Sequence, residues 1–344
     1  MKNWLAFLSL MFGAFSAFAL PPDGMVYQLK SSVVKIRVIL PNGHYGVGSG
    51  VVVAKDQVVT NCHVVRNASA INVIKFGESH RATSIKADWQ HDVCIIGFDG
   101  LDTTIAELGA SQTLQYEQPV FTISFPNNAP KPLTTYGFVK ALYPLDDSVI
   151  IRSTSDFRMG ASGGAMFSDD GKLVGIITLK SPGRNAFYYN MPVEWVKRLI
   201  EQPALAIPAA GELPFWDAPE EKRPYFMRVI QPYQTEDWAM LKKIASEWAQ
   251  AEPNTSEAMH YLAIAEFNLK EFDQATAHFQ QLYAQNKRHS SALYYLGLSA
   301  IATGKTEEAS KTAAALNEID QESANLLTEK LKIAQQANCQ TASC

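Results

Sequence analysis

Short runs of β-branched and other apolar residues, separated by turn residues, fill the chain between residues 25 and 198. Residues 33–40, 50–54 and 58–60 are examples of such runs. Short apolar runs bounded by Gly, Asn and Asp are typical of strands, and many in succession indicate a β-sandwich or a β-barrel. Residues 193–200, directly after a proline, have the pattern of one closing helix. The pattern predicts an all-β domain over residues 20–201.

The pattern changes abruptly between residues 202 and 233. This stretch contains the prolines Pro203, Pro208, Pro214, Pro219, Pro224 and Pro232. Proline removes a backbone donor and fixes φ, so such a segment forms neither a strand ladder nor a long helix. We expect a linker here, or an extended strap laid on the first domain.

From residue 234 to residue 338 the apolar residues have helical spacing, and their pattern repeats. Met259, Leu262, Ala263, Ala275, Phe279 and Leu282 recur 34 residues later as Leu293, Leu296, Gly297, Ala309, Ala313 and Leu316. This region resembles the tetratricopeptide repeat over residues 256–320, with half a repeat at 235–252 and a capping helix at 322–337. The resemblance implies an all-α domain that binds a protein partner, because stacked repeats form an extended binding surface. A generic helical hairpin is the alternative.

The first 19 residues predict a secretory signal peptide. Lys2 precedes an apolar run that closes on Ala17-Phe18-Ala19, an A-x-A cleavage pattern. The alternative is a membrane anchor, but Pro21 and Pro22 end the apolar run before the about 20 residues that a spanning helix needs. We therefore expect a periplasmic or secreted protein without a stable membrane anchor after cleavage.

Composition narrows the classes of protein that fit. The 344 residues exceed one ordinary core of about 150 residues, and 47% hydrophobic with 19% charged residues is ordinary globular material. A formal net charge of −4 offers no basic surface for nucleic acid, so nucleic acid is not an expected partner. No Cys-x-x-Cys pair is present, so we predict neither a metal site nor a cofactor.

Three segments of the β-rich region carry candidate chemistry. Residues 48–65 contain His63 after a predicted strand, residues 91–98 open on His91-Asp92, and residues 159–167 contain Gly160-Ala161-Ser162-Gly163-Gly164. Each segment alone is weak evidence for catalysis, since a lone histidine, an aspartate in a turn or a glycine-rich turn usually has a structural role. Together they supply a base, an orienting carboxylate and a nucleophile, each beside a predicted buried strand.

These segments resemble the trypsin-like serine peptidases, and their sequences are most similar to the Deg/HtrA branch. The resemblance extends over residues 28–200. The resemblance implies a double β-barrel, a protein or peptide substrate, and no cofactor. It makes His63 the general base, Asp92 the group that fixes its tautomer, and Ser162 the nucleophile. The N–H groups of Gly160 and Ser162 would form the oxyanion hole. The nucleophile elbow of the α/β-hydrolases also contains Gly-x-Ser-x-Gly, but it requires a helix after the serine, whereas residues 165–177 have the pattern of a hairpin.

The resemblance also suggests residues that bear on substrate specificity. The sequence differs from the family pattern in two respects. Asp156 lies six residues before Ser162, the position at which Arg/Lys-cleaving members carry the carboxylate of their specificity pocket. An acidic residue in a surface turn is an equally good interpretation. Thr178 aligns where a hydroxyl supports the aspartate, and Lys180 and Phe187 align near the pocket walls. Ala161 replaces the acid that pairs with a processed N-terminus, so no zymogen ion pair of that kind is expected. No PDZ domain follows; the repeats occupy its place.

The cysteines are interpreted in the light of export, because disulfides persist in oxidising compartments. If the triad forms, the backbones at Cys62 and Cys94 run side by side, which allows a disulfide. Two buried free thiols are the alternative. Cys339 and Cys344, in the tail at 339–344, could close a small loop.

The sequence as a whole predicts an exported serine endopeptidase whose repeats bind a partner or a substrate. One alternative is a catalytically silent adaptor that binds peptides in the cleft. Another is a repeat protein whose protease domain processes only itself.

Overall fold

A computed structural model describes residues 21–183, 186–207 and 211–341. The predicted signal peptide at 1–19 lies outside the described residues, as do Cys344 and the side chain of Cys339. Within the described ranges no helix is both long and apolar enough to cross a bilayer. The helix α1 (Asp23–Leu29) opens the described chain.

The first half of the β-rich region is one antiparallel sheet of seven strands. In chain order these are β1 (Val33–Ile39), β2 (Tyr45–Ala54), β3 (Gln57–Thr60), β4 (Ala70–Lys75), β5 (Glu78–Arg81), β6 (Ser84–Asp88) and β7 (Val93–Gly97), with the short helix α2 (Cys62–Val65) after β3. Their order across the sheet is β5-β4-β1-β2-β3-β7-β6. Branched residues such as Ile36, Val58 and Ile96 are buried together on one face, which is why these runs form strands.

The second half is a closed six-stranded barrel. Its strands are β8 (Pro119–Ser124), β9 (Leu133–Leu145), β10 (Ser148–Ser153), β11 (Ala165–Ser168), β12 (Leu173–Lys180) and β13 (Tyr188–Pro192), and they close in the order β10-β13-β12-β11-β8-β9. The helix α3 (Val193–Ile200) follows directly and buries Trp195 and Val196.

Of the two expected β-units, the second closes into a barrel among the described strands. The first remains a sheet with β5 and β6 at its ends. The chain after α3 covers the β6 edge: the N–H of Ile85 donates to the carbonyl of Leu205 at 3.0 Å, and the N–H of Leu205 donates to the carbonyl of Ile85 at 2.7 Å. This pairing satisfies backbone groups that closure would otherwise satisfy.

The proline-rich segment continues from that contact as an irregular strap. After Leu205 it contains short 3₁₀ turns at Phe215–Asp217 and Glu220–Lys222. Two short helices follow, α4 (Tyr225–Arg228) and α5 (Ile230–Gln234). We call residues 202–233 the strap.

The last part of the chain is a series of antiparallel helices. They are α6 (Trp238–Ala251), α7 (Ser256–Asn268), α8 (Phe272–Gln285), α9 (Ser290–Ala302), α10 (Thr306–Asn317) and α11 (Gln321–Thr341). Close approach depends on small residues, since a Cβ added at Gly297 would lie 2.3 Å from Leu327 Cδ2. The fold class is confirmed: a β-rich domain with a barrel precedes an all-helical region.

The helical region is docked on the barrel through an aromatic cluster. Tyr143 of β9 stacks on Phe226 of α4 with ring centroids 4.6 Å apart, and Trp248 of α6 lies 6.4 Å from the same tyrosine ring. The Arg152 guanidinium, on β10, donates to the hydroxyl of Tyr261 at 2.9 Å. The end of the strap, from Tyr225 onward, therefore packs between the barrel and the first helices of the repeats.

Candidate active site

The strand pairing of the first sheet brings His63 and Asp92 together. His63 lies in α2 directly after β3, Asp92 directly precedes β7, and these strands pair so that Thr60 faces Cys94. His63 Nδ1 lies 2.6 Å from Asp92 Oδ2, and the His63 N–H donates to Asp92 Oδ1 at 2.8 Å. A carboxylate only accepts hydrogen bonds, so Nδ1 carries the proton and Nε2 is left as the basic nitrogen.

The backbone around Asp92 is fixed by further contacts. Asp92 is fully buried with a left-handed φ of 59°. Its carbonyl accepts from the side-chain amide of Asn61 at 2.9 Å and from the Cys62 N–H at 3.3 Å. A disulfide also joins Cys62 and Cys94, whose Cα atoms are 4.9 Å apart. The carboxylate is thus held from both sides of the loop.

The loop that carries Ser162 depends on two glycines with left-handed backbone. Gly160 has a φ of 88° and Gly163 a φ of 85°. A Cβ at Gly163 would lie 2.1 Å from the Ser49 carbonyl oxygen, so no larger residue fits there. Ser49 of β2 also binds this loop, since its N–H donates to the Ser162 carbonyl at 2.8 Å and its hydroxyl donates to the Gly160 carbonyl at 2.9 Å.

Within residues 160–164, the N–H groups of Gly160 and Ser162 have no acceptor in the described part of the chain. The neighbouring N–H groups are engaged: Ala161 donates to the Arg158 carbonyl, and Gly163 to the Ile177 carbonyl. Two unpartnered donors with one residue between them are available to an oxyanion hole.

Gly48 of β2 connects the two halves of the site. A Cβ there would lie 2.4 Å from Val64 Cγ1, beside His63, and 3.3 Å from the Ser162 carbonyl oxygen. Ser162 and His63 are both partly exposed, with 30% of the His63 side chain accessible. In the described chain no hydrogen bond joins Ser162 Oγ to His63, a separation that is common before substrate binds.

Thr178 does not lie where a hydroxyl would touch the Asp92 carboxylate. Its Oγ1 accepts from the Asn61 amide at 2.8 Å and donates to the Ile176 carbonyl at 2.9 Å. Thr178 therefore acts on Asp92 through Asn61. The donor at the carboxylate is Trp216 of the strap, whose indole N–H lies 3.2 Å from Asp92 Oδ2. No motif marks this tryptophan, and the sequence reasoning missed it.

The predicted specificity residues occupy different environments. The side chain of Asp156 is exposed, and its carbonyl accepts from Thr135. Its neighbour Phe157 is buried beside Ala161 and Ile177. An exposed carboxylate gives the pocket role no support, and that role stays a prediction.

Lys180 and Phe187 lie farther along the cleft, near the strap. Lys180 is exposed, with its ammonium 5.6 Å from the Tyr188 ring centroid. Phe187 lies under the Arg152 guanidinium at 4.5 Å and beside the Tyr233 ring of the strap at 5.8 Å. Phe187 thus packs against the strap, and Lys180 lines a surface pocket together with Trp216.

A second cluster of titratable groups lies in the repeats, where Glu257, His260 and His289 are buried together. Burial raises the pKa of Glu257 to about 8 and lowers that of His289 to about 4. His289 Nδ1 accepts from the Ala292 N–H at 3.2 Å, so Nε2 carries the proton of the neutral ring. A protonated nitrogen does not bind a cation, so these donors do not favour a metal.

Comparisons with known proteins agree with this description. The family profile described as "Trypsin-like peptidase domain" matches residues 48–176, and the profile "Tetratricopeptide repeat" matches residues 266–329. The probable periplasmic serine endoprotease DegP-like of Halomonas elongata is 29% identical over 164 residues, 45% of this chain and 34% of the relative. The periplasmic serine endoprotease DegP of Salmonella typhimurium is 32% identical over 167 residues, 45% and 35%. The chain spans about a third of the length of these relatives.

Among solved structures, the Rv3671c protease of M. tuberculosis in its active form aligns with a TM-score of 0.48 at 21% identity, covering 57% of this chain and 91% of that one. The sequence matches divide the molecule at the same place as its fold, between the barrel and the helices. Residues 48–176 therefore match a trypsin-like peptidase domain and are similar to the DegP endoproteases, and residues 266–329 match a tetratricopeptide repeat.

Proposed function

We propose that this protein is a serine endopeptidase that hydrolyses peptide bonds of protein substrates. The observation that carries the proposal is the pair of hydrogen bonds by which buried Asp92 holds His63. This pairing leaves Nε2 as a base directed away from the carboxylate. A histidine with a merely structural role has no need of that tautomer beside a glycine-bounded serine loop.

The reaction follows from the groups at the site. Ser162 Oγ attacks the peptide carbonyl carbon while its proton passes to His63 Nε2, and the buried Asp92 carboxylate stabilises the imidazolium. The oxygen that becomes negative accepts from the N–H groups of Gly160 and Ser162. The C–N bond then breaks as His63 protonates the leaving amine. Water hydrolyses the acyl-enzyme by the same steps, which restores Ser162 Oγ–H and releases the acid.

Labelling with a fluorophosphonate probe, followed by mass spectrometry of the peptides, tests this proposal. We expect label on Ser162, no label in Ser162→Ala, and unchanged labelling in Ser310→Ala, which removes an exposed serine of α10. Turnover of unfolded casein should follow the same order. Peptide binding without label or turnover would favour the silent adaptor, and cleavage of this chain alone would favour self-processing.

We also propose that the protein is exported to the periplasm and that its repeats bind a protein partner. The names of the DegP relatives support the location, and the repeat match supports protein binding. N-terminal sequencing of the protein from a periplasmic fraction tests export, with a new N-terminus at residue 20 as the expected result. Recovery with an intact Met1 in the cytoplasmic fraction would overturn it.

A further inference from the structure

We propose that Trp216 is a positioning residue of the catalytic triad, supplied by the strap that joins the peptidase domain to the repeats. This proposal rests on the serine endopeptidase function above. The contact that suggests it is direct: the indole N–H of Trp216 donates to Asp92 Oδ2, the same oxygen that binds His63 Nδ1.

The geometry at Asp92 explains why a further donor matters. His63 binds both carboxylate oxygens, through its N–H at Oδ1 and its ring nitrogen at Oδ2. The main-chain N–H of His63 anchors only Oδ1, and the bond at Oδ2 comes from a ring that can rotate about its side-chain bonds. Trp216 approaches Oδ2 from a different segment at 3.2 Å, which fixes the plane of the carboxylate. Because the indole is neutral, its N–H donates a hydrogen bond to the buried carboxylate without neutralising the negative charge.

The tryptophan ring also positions the histidine itself. The rings of His63 and Trp216 meet edge to face, with centroids 5.5 Å apart and an angle of 89° between their planes. Edge-to-face contact is a favoured arrangement of aromatic rings and limits rotation of the smaller ring. The Trp216 side chain therefore restrains both His63 and Asp92.

Among the described residues, Asp92 Oδ2 has no hydrogen-bond partner other than His63 Nδ1 and Trp216 Nε1. Thr178, the aligned hydroxyl, is buried and already engaged with Asn61 and the Ile176 carbonyl. The indole N–H takes the place that a hydroxyl was expected to fill. The donor thus comes from residue 216, outside the residues 48–176 that match the peptidase profile.

Contacts on both sides of Trp216 hold the strap in place. The Phe215 N–H donates to the Gln90 carbonyl at 3.0 Å, close to Asp92 in the chain. The Phe215 ring lies 6.4 Å from that of Phe226, which stacks on Tyr143 of the barrel. Next to it, Tyr225 stacks on Trp248 of the first repeat helix at 6.2 Å. Docking of the repeats therefore fixes the segment that carries Trp216.

The test replaces Trp216 by phenylalanine in the full mature chain, which keeps a ring and removes the donor. We expect kcat on a peptide substrate, and the rate of fluorophosphonate labelling, to fall about tenfold, the effect of losing one hydrogen bond to a charged group. KM should stay within about twofold, because Trp216 contacts His63 and Asp92 and not the Ser162 loop. Trp238→Phe, the same exchange at the start of α6, should leave both constants unchanged.

A proton resonance separates positioning from mere stability. The proton between His63 Nδ1 and Asp92 lies in a short, charge-assisted hydrogen bond and gives a downfield signal in water. We expect Trp216→Phe to change the position of this signal, and Trp238→Phe to leave it in place. Activity that falls only in proportion to the folded fraction, with an unchanged resonance, would overturn the proposal.

The proton measurement also keeps this proposal distinct from the proposed function. If wild-type protein carries no label at Ser162, the endopeptidase proposal fails, yet the resonance still reports whether Trp216 orients Asp92. If Trp216→Phe does not fold, Trp216→Leu, which also removes the ring contact with His63, can be measured by the same two methods. An unchanged resonance and labelling rate in that variant would exclude the positioning role.

Discussion

The peptidase domain and the strap reach the same histidine by different physical means. The domain places His63, Asp92 and the Ser162 loop through strand pairing, tight glycine turns and backbone hydrogen bonds. The strap places Trp216 through stacked side chains between the barrel and the repeats. Backbone geometry tolerates almost no substitution, whereas an aromatic cluster can be repacked. The proposed triad thus lies within the peptidase domain, and the contact that Trp216 makes with it comes from a separate part of the chain.

The largest expected effect lies on the backbone side, at Gly163. In Gly163→Ala the new Cβ would lie 2.1 Å from the Ser49 carbonyl oxygen, at a φ of 85°. We expect a loss of more than about 5 kcal/mol, which is comparable with the whole stability of a domain, so the peptidase domain should fail to fold. Circular dichroism and thermal unfolding measure this.

Gly43→Ala is the matched control for Gly163→Ala. Gly43 has a similar φ of 80°, but nothing lies within 4 Å of its added Cβ. Only backbone strain remains there, about 1 kcal/mol. If both variants lose the same stability, the close approach of β2 to the serine loop does not determine the effect, and the contrast drawn above fails.

The next effect lies in the aromatic cluster that docks the strap. Trp248→Ala removes a buried side chain that stacks on Tyr225 and Tyr261. We expect a loss of about 3–5 kcal/mol. Because the strap then loses its support, labelling of Ser162 should also slow in the fraction that stays folded. Urea unfolding and active-site titration measure the two effects.

Leu327→Ala tests whether the slower labelling is specific to the cluster. Leu327 of α11 is equally buried, but it packs in the core of the later repeats. It should lose about 2–5 kcal/mol without a change in labelling rate per folded molecule. Equal slowing in both variants would mean that the repeats act through overall stability and not through the strap.

The same contrast decides what could be predicted from sequence. His63, Asp92 and Ser162 can be predicted as a triad from sequence because a strand end or a glycine turn fixes each one locally, and local chain geometry leaves a pattern. Trp216 was missed because its contact joins residues 124 positions apart and depends on how three separate parts pack. The open first sheet was missed for a similar reason, since only the pairing of β6 with Leu205 shows how its edge is covered.

The repeats contain both a feature that the sequence predicts and one that it does not. Their period was visible because small residues recur 34 positions apart, and one of them, Gly297, lies against Leu327 of a neighbouring helix. Where the repeats dock was not visible, because the docking side chains are single residues such as Arg152 and Tyr261 without a repeated pattern. Regular packing can be predicted from one sequence, and unique contacts between regions require the structure.

The smallest expected effect concerns a side-chain contact inside the peptidase domain. His91 joins the two β-units: its Nδ1 lies 2.7 Å from Asp88 Oδ2 at the end of β6, and its Nε2 lies 2.6 Å from Asp146 Oδ2 between β9 and β10 of the barrel. Burial alone would lower the pKa of His91, but hydrogen bonds and charge interactions with both carboxylates outweigh it, and the pKa is raised. The ring also stacks on Trp195 at 3.9 Å.

The sign of the pH dependence follows from this raised pKa. A histidine with a higher pKa in the folded than in the unfolded chain contributes full stability below about pH 6.5, and this contribution disappears as the pH rises through the folded pKa. His91→Gln should therefore cost about 1 kcal/mol at pH 6, a modest value because Asp146 is half exposed, and close to nothing at pH 9. Urea unfolding at both pH values measures the difference, with exposed His44→Gln as the control. An equal loss at pH 6 and pH 9 would show that His91 joins the β-units by packing on Trp195 alone, and that charge plays no part in this contact.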